Sequence, residues 1–192
     1  MAVILYMPSP FDRFKREGDI VGRLVVEYGE LEWDLCLLVA CAIRDQDSAI
    51  KVMYRARGEA QRIALGDALA RKHIPDGRLR SIYEMTIARL KDCTTIRNRY
   101  AHTVFSETAD GRLAFLNLED IANEHGVADT SRLPQYELSM PLIEDEARLF
   151  VEVAQNLRYL NWEMQAVNGQ IPKADTHMIE PIARATSPVR IR

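Results

Sequence analysis

Residues 76–102 read DGRLRSIYEMTIARLKDCTTIRNRYAH. Pro75-Asp76-Gly77 is a turn signal, and Leu79, Ile82, Tyr83, Met85, Ile87, Leu90, Cys93 and Ile96 then recur at helical spacing. The pattern predicts a long helix from near Asp76 that ends in the polar turn Ile96-Arg97-Asn98-Arg99-Tyr100-Ala101-His102. Two arginines, an asparagine, a tyrosine and a histidine in one turn and a half are costly unless something uses them. The rest of the chain is organised around that helix.

Upstream, Ser9-Pro10 reads as an N-cap followed by proline in the first turn, predicting a short helix over Phe11–Glu17 that stops at Gly18. Asp19 is then the expected cap of a first long helix, with Ile20, Leu24, Tyr28, Leu31, Leu35, Leu38 and Ala42 on one apolar face. Val25, Val26, Trp33, Val39 and Ile43 widen that face, as in a helix that is deeply buried or shared with a partner. Gly22 and Gly29 each weaken a helix by about 1 kcal/mol and are expected to mark close backbone approach. Glu27, Glu30, Glu32 and Asp34 read as a solvated face and N-terminal dipole compensation. A second helical region is expected over Ser48–His73, broken near Gly58, with Ile63, Leu65, Leu69 and Ala70 inward.

Downstream of His102 the periodicity changes. Thr103-Val104-Phe105 and Leu113–Leu116 flank Asp110-Gly111, a hairpin signature. A loop-rich segment with one helical turn near Glu119–Glu124 follows, then a third strand at Tyr136–Leu138. Ser139, with Pro141 behind it, is the expected cap of a last helix reaching Asn168-Gly169. Glu144, Asp145 and Glu146 in its first turns read as dipole compensation, without catalysis. The fold class expected is mainly α: one helical-bundle domain over residues 1–169, a hairpin insertion at about 103–138, and an extended or disordered tail over 170–192.

Composition bounds the function. The chain has 192 residues, 47% hydrophobic and 28% charged, enough for a sizeable core. Its net charge of −3 does not advertise a bulk nucleic-acid binder. Arg55, Arg57, Arg62, Arg71, Lys72, Arg78, Arg80, Arg89 and Lys91 nonetheless precede the motif, as a local basic patch or as a mixed-charge surface. Cys36, Cys41 and Cys93 are odd in number and lack metal spacing, so they read as free, packed thiols suited to a reducing cytoplasm. Met1–Met7 is too short for a signal peptide, and no membrane span is expected. Phosphate-loop, Cys-x-x-Cys, His-Glu-x-x-His and Gly-x-Ser-x-Gly strings are missing from the sequence, and no metal or cofactor is expected.

The polar turn itself suggests a chemistry. Arginine is a permanent, bidentate phosphate clamp, and histidine moves protons near neutrality. Asn98 and His102 are four apart and share a helix face; Arg97 lies five before His102. Together they suit metal-independent cleavage of RNA, in which the 2′-OH attacks, the phosphorane is steadied and the leaving oxygen is protonated. The competing reading is structural, with arginine favouring a helix C-terminus and histidine ending it.

Arg97-Asn98-Arg99-Tyr100-Ala101-His102 resembles the Arg-x4-6-His motif of the HEPN superfamily, including the asparagine after the arginine. The resemblance extends to a Gly-x-x-Glu-like element, Gly29-Glu30-Leu31-Glu32, and to the helix order, covering about Asp19–His102 and more loosely Ser139–Asn168. It implies a HEPN-like bundle that forms a homodimer with two motifs lining one cleft, acting as a metal-independent endoribonuclease in a toxin or defence system. It implies that Arg97 binds the scissile phosphate, His102 is the general acid/base, and Asn98 orients His102 or touches the phosphate. Arg99 is then an auxiliary phosphate contact and Tyr100 packs or contacts a base. RNA and an antitoxin or other protein are the implied partners. The alternative is a non-catalytic HEPN-like module that binds a nucleotide, RNA or a protein.

Overall fold

A computed structural model describes residues 9–117, 122, 135–171 and 189–190. Among them are five α-helices, the first four linked by short connections: α1 (Lys15–Ile43), α2 (Gln46–Arg55), α3 (Glu59–Ala70), α4 (Arg78–Ala101) and α5 (Met140–Val167). Four antiparallel strands, β1 (Thr103–Glu107), β2 (Leu113–Asn117), β3 (Gln135–Glu137) and β4 (Val189–Arg190), form one sheet in that order. The chain is therefore mainly helical, with a small sheet inserted between the motif helix and the last helix. Among the described residues no helix is long and apolar enough to cross a membrane.

The N-terminal boundaries differ from those expected. Phe11–Glu17 is not a helix: Pro10–Asp12 makes one 3-10 turn, capped by the Ser9 hydroxyl, which accepts the Phe11 N–H at 3.3 Å. α1 then starts at Lys15 rather than Asp19 and runs through Gly18. The reason is a close approach. A Cβ at Gly18 would lie 2.8 Å from the Phe11 ring, so glycine lets Phe11 lie on the helix and meet Phe105, ring centroids 4.7 Å apart. The second helical region divides where expected, since Gly58 has φ +97° between α2 and α3. Asp45 caps α2, accepting the Ser48 N–H at 3.0 Å.

Polar contacts give the helix directions. Arg16 bonds Glu144, Arg158 bonds Asp34, and Arg44 bonds Asn168, so α1 and α5 advance side by side in parallel. Glu59 meets Arg97 and Asp67 meets Tyr83, so α3 runs antiparallel to α4. Arg99 meets Glu146 near the other end of the α4–α5 pairing, where Cys93 faces Glu152. The core between them contains Leu24, Leu35, Leu38, Tyr83, Leu90, Ile143, Leu157 and Leu160, all buried. Cys36, Cys41 and Cys93 are free and buried, and burial pushes each thiol up, as packed thiols require.

β1 and β2 pair from Thr103↔Asn117 to Glu107↔Leu113 around a turn at Thr108–Gly111, where Gly111 takes φ +80°. The Asp-Gly signal marked the hairpin, whose loop spans the five residues between Glu107 and Leu113. Leu138 lies past the third strand expected there, although its N–H still bonds the Leu113 carbonyl at 2.9 Å. Within the expected tail, Val189–Arg190 adds β4 to β3. The turn expected at Glu119–Glu124 falls almost entirely outside the described residues, as do Met1–Met7 and residues 172–188.

Candidate functional site at the end of the motif helix

α4 ends where the periodicity placed its polar turn, and the turn divides into two sides. Ile96 and Tyr100 point into the core. Tyr100 is 4% exposed and stands between Phe105 and Phe115 of the sheet, at ring-centroid distances of 6.4 and 6.2 Å. Its hydroxyl donates to the Glu146 carboxylate on α5. Arg99 Nη1 donates to the other oxygen of Glu146 at 2.7 Å. Arg99 and Tyr100 are thus both tied to the last helix through Glu146. Tyr100 packs, and Arg99 is paired with a buried acid.

Glu146 is the residue that sequence reading placed wrongly. It is not a solvated member of an acidic first turn but a buried carboxylate, in the second turn of α5. Burial raises it above the ordinary carboxylate range, against the opposing pull of Tyr100 and Arg99. Burial also raises the Tyr100 hydroxyl, and the facing carboxylate adds to that. The sheet is pinned to the helices here, through Tyr100 and the aromatic contacts around it.

The other side of the turn holds Arg97, Asn98 and His102. Arg97 lies with its guanidinium over the Tyr28 ring, 5.8 Å from the centroid. Its Nη1 lies 3.0 Å from Glu59 Oε1 and donates to Asn98 Oδ1 at 2.8 Å. The Arg97 Nε–H is buried and makes no hydrogen bond among the described residues. The side chain keeps 26% of its surface exposed and that of Glu59 28%, so the pair borders solvent. Tyr28 is held in turn by Thr94, hydroxyl to hydroxyl at 2.8 Å, and burial lifts its phenol to about 12.

His102 is the C-cap of α4, with φ −118° and ψ 28°, and its side chain is exposed. Its N–H donates to the Asn98 carbonyl at 3.1 Å, which is the contact Asn98 makes with it. The Asn98 side chain accepts its hydrogen bond from Arg97. The turn therefore brings Arg97, Asn98 and Glu59 together and leaves the imidazole at the open rim.

Glu59 and Tyr28 were not visible as site residues. Glu59 carries the ordinary signature of an acid opening a helix, and Tyr28 reads as one more apolar position of α1. Only the packing of α1, α3 and α4 sets them around Arg97. The acidic stripe of α1 is corrected too: Glu32 is buried against Arg62, and Asp34 against Arg158. The basic run before the motif is correspondingly reduced, with Arg62, Arg71 and Arg80 each paired to an acid. Among the described residues no cluster of three or more histidine, cysteine or acidic side chains is placed to hold a metal. Comparison with protein-family models, with curated proteins and with solved structures found no match.

Proposed function

We propose that the Arg97–His102 turn is a metal-independent endoribonuclease site of HEPN type, assembled from two copies of the chain. One observation carries the reading. Arg97 is half-buried and pre-oriented through Nη1 alone, and its Nε–H is enclosed without an acceptor. About a quarter of the Arg97 side chain still borders solvent, and a permanent, fixed cation there can meet an anion. The exposed part of the guanidinium can donate to a phosphodiester oxygen, and the Tyr28 face and the Asn98 amide hold it in place.

In the reaction, the RNA 2′-oxygen forms a bond to phosphorus as the 5′-oxygen leaves, giving a 2′,3′-cyclic phosphate. Arg97 offsets the charge on the non-bridging oxygens. His102, exposed at the rim, takes the 2′-OH proton, and His102 of the partner subunit gives a proton to the leaving 5′-oxygen. A second copy supplies the acid that a single chain lacks. The toxin or defence setting and an antitoxin partner belong to the same reading, and a reducing cytoplasm is the compartment that suits three free thiols.

A second reading follows from Glu59. It neutralises Arg97 at 3.0 Å, and a guanidinium already paired suits reversible binding of RNA, a nucleotide or a protein better than turnover. One assay separates the two. Purified chain is incubated with mixed cellular RNA in EDTA beside Arg97→Ala and His102→Ala. Cleavage by the parent, reduced at least about a hundredfold in each variant with melting temperature preserved, supports the nuclease. RNA binding that Arg97→Ala weakens, without turnover at any concentration, sinks it in favour of the binding module.

A further inference from the structure

Two rungs of side chains link α1 and α3. The first is Tyr28, Arg97 and Glu59; the second is Glu32, Arg62 and Tyr54. Tyr28 and Glu32 are four apart on α1, and Glu59 and Arg62 are three apart on α3. The rungs are therefore one helical turn apart, about 4.5–6 Å. In the second rung the Arg62 guanidinium is held by the Glu32 carboxylate, and its Nε donates to the Met53 carbonyl at 3.3 Å. It lies 5.1 Å from the centroid of the Tyr54 ring. Arg62 is largely buried, whereas Tyr54, near the end of α2, is 45% exposed. Burial raises the Tyr54 phenol, and Cys36 and Glu32, both buried, add to that, so the hydroxyl end is the inner one. The ring is thus backed by a fixed guanidinium and open to solvent, which makes it a stacking surface.

The chain runs on from it as Arg55-Ala56-Arg57-Gly58-Glu59 and so returns to the Arg97 rung. Ala56 is buried, and Arg55 and Arg57 on either side of it are exposed. Lys51 pairs with Asp47, Arg62 with Glu32 and Arg97 with Glu59. The excess positive charge of this face is therefore that of Arg55 and Arg57, which form no ion pair among the described residues.

We propose that Tyr54, Arg55 and Arg57 form a nucleotide subsite beside Arg97, in which an unpaired base stacks on the Tyr54 ring and its phosphate meets the two arginines. Ring and arginines together suit a nucleotide, which joins a flat base and an anion in one unit. One helical turn from the Arg97 rung is within a single nucleotide's reach of a phosphate held there. Stacking supplies affinity without sequence preference, and the two unpaired guanidiniums supply charge that Arg97, already facing Glu59, does not. The inference rests on the nuclease reading for the phosphate at Arg97, but not for the ring and the two arginines.

Fluorescence anisotropy of the full chain with a labelled single-stranded 2′-O-methyl oligoribonucleotide, which has no free 2′-OH to attack, tests it. Tyr54→Ala is expected to weaken binding at least about tenfold with melting temperature preserved, and Tyr54→Phe to bind like the parent. Arg55→Ala/Arg57→Ala is expected to weaken binding and to lower its salt dependence. A fully abasic probe is expected to bind the parent and Tyr54→Ala alike. A folded Tyr54→Ala that binds like the parent, an abasic probe that still separates the two, or a parent that binds no probe overturns the proposal. Should Tyr54→Ala unfold, binding and salt dependence unchanged in the variant of the two exposed arginines overturn it instead. Tyr54-dependent binding without cleavage of unmodified RNA retains the subsite and removes the nuclease. RNA cleavage that Tyr54→Ala and Arg55→Ala/Arg57→Ala leave unchanged does the reverse.

Discussion

Glu146 is a carboxylate with two jobs: it accepts the Tyr100 hydroxyl and the Arg99 guanidinium, both from the turn that ends α4. Removing one partner of a buried ion pair leaves the other uncompensated, which typically costs about 3–5 kcal/mol. Glu146→Ala is therefore expected to lower the melting temperature by on the order of 10 °C for a chain of this size. Tyr100→Phe, which deletes one hydrogen bond and keeps the ring, costs only about 1 kcal/mol. Thermal melts of the two variants check this, and an Ala variant that melts with the parent would remove Glu146 from the core. Arg97, one helical turn from Ala101, behaves differently because it borders solvent, and its substitution is expected to act on ligand and leave the fold intact. The polar turn was legible as a cluster, but the division of its side chains between fold and surface was not. A helical repeat gives relative directions about α4, and only the position of α5 tells which direction is inside.

The helices themselves show where glycine has a packing reason and where it does not. Gly66 of α3 rests against α1: a Cβ there would be 3.1 Å from Leu35 Cδ2 and 3.3 Å from Met53 Cε. Gly66→Val is expected to force these apart and cost about 1–3 kcal/mol, measured by denaturant titration, whereas Gly22 and Gly29 tolerate a methyl within the single chain. A Gly66→Val variant as stable as the parent would mean that α3 shifts freely on α1. The sequence marks all three alike, as interruptions of a helical run, because a missing side chain does not say what lies opposite. It located the α2–α3 break correctly, since a chain that must turn at Gly58 with φ +97° signals that locally. It misplaced the start of α1, because Gly18 looks like a stop until Phe11 is seen lying on it.

The balance of buried charge acts on the whole molecule through pH. Burial raises Glu146 and Asp34 above ordinary carboxylates, so the folded chain holds these protons to higher pH than the unfolded chain. Their contribution to stability is greatest below the ordinary carboxylate range, around 4.3, and falls as pH rises through their elevated values. Asp45 and Asp110 run the other way. Hydrogen bonds from Ser48 and Thr108 lower them, so their contribution is present above the ordinary range and lost as pH falls through it. The difference in melting temperature between the parent and Glu146→Gln is thus expected to shift in favour of the parent as pH is lowered from about 7 towards the ordinary carboxylate value. A shift towards the variant would show that Arg99 and Tyr100 outweigh burial. The sequence by itself determined the helical class, the order of the long helices, the inserted hairpin and the position of the polar turn, because periodicity, caps and turn residues are local signals. Only the tertiary structure decided that Arg97 faces Glu59 and Tyr28, and that Arg99 and Tyr100 serve Glu146. Those are relations between residues 38 to 69 positions apart in the chain, and they exist only once burial of the common core has set the helices side by side.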